Sequence, residues 1–182
     1  MDVMTAIETR REITQFDDRP IPRDVRDRLV RALCLSPSGN NLPSREFVLV
    51  SDRSMLRTLA RTTPYMPWLE QAALGVVIIG DPTVSKYWLQ DATIAGAYLW
   101  LAAVSFGLGA AWGAVFHSED AEETARRERY VRNALGIPPA KRPVAIIGVG
   151  YPAARPAPKE PIPPEKVVHY ETYGRGGGGT AG

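Results

Sequence analysis

From Ala92 to Phe116 the chain carries no charged side chain. A run of that length either crosses a bilayer or is buried inside a protein. Gly96, Gly107, Gly109 and Gly113 interrupt it, and alanine outnumbers leucine and isoleucine. Its flanks, Asp91 and Glu119-Asp120, hold no basic anchor nearer than Lys86, which argues against a membrane span. The run is therefore read as a buried helix over 86–106, stopped by Gly107-Leu108-Gly109, and a buried strand over about 110–116. A helix that is apolar almost all round is more than a chain of 182 residues covers alone, so an obligate dimer is expected.

The other segments fall around this core. Apolar residues at helical spacing predict helices over 2–9, 23–35, around Met55–Leu59 and over 119–135. Short β-branched runs predict strands at 47–50, 75–80 and 143–149. Ser36 to Ser44 is a dense cluster of turn residues and reads as a loop. Buried strands separated by helices imply a layered α+β or α/β fold. After Gly150 the prolines of 151–165 enforce an extended arm, which is expected to lie across a partner rather than on its own chain. The expected organisation is one domain over 1–173, with 151–173 as the arm and 174–182 as a flexible tail.

Composition excludes more than it assigns. A net charge of +2 is too mild to imply nucleic acid. The Arg126, Arg127, Arg129, Arg132 run reads as a solvated helix face paired with Glu122, Glu123 and Glu128. Cys34 is the single cysteine, so no internal disulfide forms. Its helical setting with Val25, Leu29, Val30 and Leu33 reads as a small core residue. Asp2 and Glu8 leave no apolar signal segment at the start, and a cytoplasmic setting is the default. His117 and His169 have no ligand-spaced companions, so no metal site is expected. No Walker loop, nucleophile elbow or His-Glu-x-x-His motif is present, and Gly107-Leu-Gly109-Ala-Ala-Trp112 lacks the third glycine of a dinucleotide turn.

Three features remain: Arg10-Arg11, the Pro-Ser-Gly-Asn-Asn loop, and a glycine turn leading into an apolar strand. Together they suit a flat, phosphorylated cofactor. Arginine grips phosphate through charged hydrogen bonds, small loop residues bring backbone amides to a ring edge, and a glycine-bearing strand lies against a ring face. Such a cofactor carries the hard chemistry itself, so no acid–base dyad is needed. Trp88, Tyr98 and Trp100 on the long helix read as core or dimer packing ahead of a substrate stack. Trp68, in a loop after Tyr65-Met66-Pro67, is either packing or a roof over the ring.

In Ala6-Ile-Glu-Thr-Arg-Arg11 with Phe16 and Pro20-Ile-Pro22, and in Ser36-Pro-Ser38-Gly-Asn-Asn41 with Phe47-Val-Leu-Val50, the chain resembles the nitroreductase family. The likeness continues through Asp91 to Gly113, Ala134-Leu-Gly-Ile-Pro138 and Pro143 to Pro152, so that it spans about residues 3–171. It implies an α+β fold with a mostly antiparallel central sheet flanked by helices, in an intertwined homodimer with FMN at the interface. It also implies NADH or NADPH as reductant, a small-molecule acceptor such as a nitroaromatic or quinone, and ping-pong hydride transfer. By position, Arg10 and Arg11 would hold the FMN phosphate, and Pro37, Ser38, Gly39 and Asn41 of the other subunit would contact the ring and ribityl chain. The strand Trp112, Gly113, Ala114 would flank the ring with one N–H at N5. Arg155 and Lys159 compete for the phosphate from the arm.

The chain departs from the family at three places. Glu12 stands where serine is usual, beside the proposed phosphate site. Thr14 stands where a basic side chain often faces flavin N1 and O2, and a cation there is worth roughly 1–3 kcal/mol to the anionic reduced ring. Pro43-Ser44-Arg45 replaces the usual Gln-Pro-Trp, with Arg45 as a candidate substitute cation. Two alternatives follow: a reduced-flavin-fragmenting relative of the same fold, or a non-catalytic flavin-binding or scaffold dimer.

Overall fold

A computed structural model describes residues 1–117 and 119–175. Four strands, β1 (Arg45–Val50), β2 (Leu74–Gly80), β3 (Gly109–Ala114) and β4 (Arg142–Gly150), form one sheet in the order β1-β2-β4-β3. Every pairing between them is antiparallel. The inner strands β2 and β4 are buried almost end to end, which is why they read as continuous Val/Ile runs rather than as alternations. The β2–β4 register slips between Ile78 and Ile79, opposite Pro143, whose missing N–H cannot serve a regular ladder.

The helices are α1 (Val3–Thr9), α2 (Arg23–Leu35), α3 (Arg53–Ala60), α4 (Trp88–Ser105) and α5 (Ala121–Leu135). Alternation along the strands splits the core into two layers. Leu74, Val76, Ile78, Ile147 and Val149 meet α2 and α4 on one face of the sheet. Val77, Ile79 and Ile146 meet α3, α5 and a 3₁₀ turn at Pro67–Gln71 on the other. Gly96 keeps α4 flush with the sheet, since a Cβ there would collide with the Trp112 ring from β3. Helix α5 is closed at both ends, by the Asp120 carboxylate accepting the Glu123 N–H at 2.8 Å and by left-handed Gly136 with φ 68°.

Two expectations need correction, and one open alternative narrows. Cys34 is exposed, because the buried stripe of α2 runs through Leu29 and Leu33 and the next residue turns about 100° away from it. The arginine run of α5 is not a uniformly solvated face. Arg127 (7% exposed) and Glu128 (4%) are buried: Arg127 donates to Glu123 at 2.7 Å and to the Ala114 carbonyl at 3.0 Å, and Glu128 accepts from Arg132 and Arg142. Trp68 lies in the 3₁₀ turn, packs over Gly148 of β4 and donates its Nε1–H to the Tyr65 carbonyl at 3.1 Å; it is a packing residue.

Past β4 the chain first returns along residues 15–17, through Asp17 N–H to Tyr151 O at 2.8 Å and Ala153 N–H to Gln15 O at 3.0 Å. From Ala153 to Arg175 every residue is exposed, including Ile162, Val167, Tyr170 and Tyr173. The tail expected over 174–182 lies, from residue 176, outside the described residues. Among the described residues no helix is long and apolar enough to cross a membrane.

Candidate cofactor site

Strand β3 pairs with β4 on one side and ends the sheet on the other. Its open edge is fixed by three contacts: Ile13 N–H donates to Ala110 O at 3.0 Å, Trp112 N–H reaches Glu12 Oε1 at 3.4 Å, and Ala114 O accepts from Arg127. In an antiparallel strand the N–H and C=O of one residue point the same way and alternate along the chain. The Ala114 N–H therefore faces the open edge with Trp112, whereas Gly113 turns toward β4. Glu12 covers the first of these two amides. Ala114 offers the next.

The two arginines of one chain point into different cavities. Arg10 lies over the Trp100 ring, 4.8 Å from its centroid, on the wall of a groove of about 470 Å³ lined also by Ile7, Thr93, Ala97 and Trp112. Arg11 turns the other way, donating to the carbonyls of Glu8 (2.9 Å), Arg10 (2.6 Å) and Ala157 (3.1 Å). It thereby fastens the start of the arm. Arg11 and Arg155 line a second cavity of about 330 Å³ together with Ile13, Gly107 and Gly109. Lys159 is exposed and does not line it. Thr14 is exposed.

In the loop, Ser38 Oγ donates to Leu42 O at 2.7 Å, and Asn40 and Asn41 both take left-handed backbone angles, φ 53° and 55°. That conformation costs roughly 1 kcal/mol for each non-glycine residue, so the surroundings must hold it. Arg45 does much of the holding, through Ser36 Oγ at 2.9 Å, the Ser36 carbonyl and the Leu42 carbonyl at 3.4 Å. In the single chain its guanidinium is thus bound to the loop. Pro37 and Asn41 are exposed, and Ser38 and Gly39 half-buried.

One chain does not bring the loop and Arg10 together. The loop is seated at the start of α4, where Gly39 N–H donates to Asp91 at 2.9 Å and a Cβ on Gly39 would lie 2.6 Å from the Tyr87 ring. Arg10 sits over Trp100. Asp91 and Trp100 are about 14 Å apart along the helix at about 1.5 Å per residue, and about 100° per residue places them on opposite sides of it. A site using both needs the loop of one copy and the arginine of another.

Sequence reasoning missed two residues. Asp91 is the only charged residue of α4, and a lone charge in an apolar helix marks a buried polar contact. Trp100, whose leading reading is packing, lines the groove beside Arg10, and its buried Nε1–H has no acceptor among the described residues.

The nitroreductase family model matches residues 7–63 and 52–151. The chain belongs to the nitroreductase family. It is 33% identical, over 95% of its length and 88% of the relative's, to a protein of Methanothermobacter thermautotrophicus named as a putative NADH dehydrogenase/NAD(P)H nitroreductase. A crystal structure of a protein so named from Bacteroides thetaiotaomicron superposes with a TM-score of 0.86 at 33% identity, covering 94% of this chain and 98% of that one. An FMN-dependent nitroreductase from Clostridium difficile also gives 0.86, at 27% identity, with 93% and 99% covered. The nitroreductase fold is thus shared across the whole architecture described here, with its antiparallel sheet between two helical layers.

Proposed function

We propose that the chain is an FMN-dependent NAD(P)H oxidoreductase acting as a homodimer in the cytoplasm. It passes reducing equivalents from NADH or NADPH to a small electrophilic acceptor, a nitroaromatic or a quinone, with reductant and acceptor entering one pocket in turn. The observation that carries this reading is the division of the site by α4, which separates the loop from Arg10 and the open edge of β3. Family membership and the FMN and NAD(P)H named for the relatives supply the chemistry.

The residues fit FMN. The groove volume of about 470 Å³ is in the range of small-molecule sites. The unpaired Trp100 Nε1–H needs an acceptor, and a buried donor left without one costs about 1–3 kcal/mol. FMN, when bound, supplies a centre that takes up a hydride and releases it to the acceptor. Arg10 would hold its phosphate by charge, with Arg155 and Lys159 of the arm brought to it only if the arm folds onto a second copy. Ala114 would donate its N–H to N5, Trp112 and Gly113 would back the ring, and Ser38, Gly39 and Asn41 of the second copy would meet its edge. Arg11 fixes the arm. The exposed apolar residues of α1 and α4, Met4, Ile7, Ile94 and Tyr98, together with the exposed arm, supply the surface on which two copies would close.

The test is the visible spectrum of the purified protein before and after anaerobic NAD(P)H. A flavin band that bleaches, and returns when a quinone is added, is the expected result. A protein that takes up no FMN overturns the reading. Bound flavin that neither nicotinamide reduces would leave the non-catalytic scaffold.

A further inference from the structure

Asp91 is 3% exposed and uses both carboxylate oxygens on the loop: one accepts the Gly39 N–H at 2.9 Å, the other the Ser44 hydroxyl at 2.5 Å. Ser44 is itself fully buried, and its carbonyl accepts the Asp81 N–H at 2.7 Å at the far end of β2. The carboxylate therefore ties both ends of the Gly39–Ser44 segment to one rigid helix. Between those ties stand Asn40 and Asn41, in conformations that a loose loop would abandon. The side chain of Asn41 is left exposed and facing away from its own core.

We propose that Asp91 is a positioning residue, which presets the Ser38–Leu42 loop in its cofactor-receiving shape before any ligand arrives. The proposal rests on the FMN reading above. A preset loop does not lose conformational entropy on binding, so Asp91 acts on cofactor affinity without touching the cofactor. The short Ser44 contact and the Gly39 contact act together. Removing their shared acceptor leaves the buried Ser44 hydroxyl and the half-buried Gly39 N–H unpaired and frees both ends of the turn.

The experiment compares FMN dissociation constants for wild type, Asp91→Ala, Asp91→Asn and the control Val131→Ala. Val131, on the inward face of α5, is fully buried in the other layer of the core. Asp91→Ala is expected to weaken FMN at least about ten-fold, and Asp91→Asn, which keeps an acceptor for Gly39, to return within about three-fold. Val131→Ala should lower the melting temperature while leaving FMN affinity within about two-fold. Amide exchange in the flavin-free proteins is the second readout. Residues 38–42 should exchange at least about ten-fold faster in Asp91→Ala, with β4 as protected as in wild type. Unchanged exchange overturns the proposal, as does an affinity loss in Val131→Ala equal to that in Asp91→Ala, or an Asn variant as weak as the Ala variant. If wild type takes up no FMN, the cofactor reading fails, and the exchange comparison still decides whether Asp91 sets the loop.

Discussion

The two helical layers on either side of the sheet are finished to different degrees. The layer of α3 and α5 is complete within the chain. Its core residues are buried, and its buried charges are paired, with Arg127 on Glu123 and Glu128 held by Arg132 at 3.1 Å and Arg142 at 2.6 Å. The layer of α1, α2 and α4 buries one side of α4 and leaves Ile94 and Tyr98 of the other exposed beside Met4 and Ile7 of α1. It also holds the orphaned Trp100 donor. The first layer is a support, and the second is an unfinished surface next to the candidate site. That contrast tells apart residues whose loss unfolds the chain from residues whose loss empties the site.

The largest effect should come from the unfinished layer. Ile94→Lys with Tyr98→Lys places two charges on the outward side of α4, where a second copy would bury them. The variant should remain folded, run as a monomer in light scattering and carry no flavin. A dimer that still holds flavin would show that this side of α4 is not the interface.

The finished layer should respond in the opposite way. Glu128→Ala leaves Arg132 and Arg142 without their shared carboxylate. Breaking a buried pair costs several kcal/mol, and here about 2–4 kcal/mol is expected because the arginines keep some water. Urea unfolding measures it, and flavin content per folded dimer should not change.

The same contrast governs how much the sequence revealed. The strands and helices were legible because β2, β4 and α4 are so apolar that their periods leave little choice, and because Gly107, Gly136 and Pro138-Pro139 punctuate them. What misled was local charge read without its tertiary partner. Arg126 to Arg132 looked solvated, yet Arg127 reaches the end of β3. Arg10 and Arg11, adjacent in sequence, point into different cavities, since consecutive residues of an extended segment face opposite ways. Arg45 looked like a spare cation and is bound to its own loop. A pairing 9 residues upstream, as with Ser36, has no periodic signature.

That divergence of Arg10 from Arg11 gives the next prediction. Arg10→Ala should weaken FMN roughly ten- to a hundred-fold through loss of a charged contact to phosphate, with little change in melting temperature. Arg11→Ala releases Ala157 and should increase protease cleavage in the arm more than it alters FMN affinity. Equal losses of affinity in the two variants would mean that they grip one phosphate together, and that the separation seen here closes on binding.

The smallest effect is the acid response of the finished layer. The Asp81 carboxyl is lowered from 3.8 to about 2 by hydrogen bonds from Lys141, at 2.5 Å, and Thr83. Arg126 and Arg127 lower Glu123 from 4.5 to about 2. Because both groups bind their protons less readily folded than unfolded, their contribution is complete above about pH 4.5. It shrinks as the unfolded chain takes up protons, and it is gone once the folded carboxyls protonate near pH 2. Lys141→Met removes the main cause at Asp81, so its folded value moves back toward 3.8. Urea midpoints of wild type and variant should therefore lie furthest apart at pH 7 and converge by about pH 2, with Glu123 still giving both a residual slope. A gap that stays constant across that range would assign the effect of Lys141 to packing or to Glu46, its other carboxylate neighbour at 2.5 Å, rather than to Asp81. Flavin uptake should be indifferent to the substitution, because the Lys141 ammonium contacts Asp81 after β2 and Glu46 of β1, and does not contact the open edge of β3.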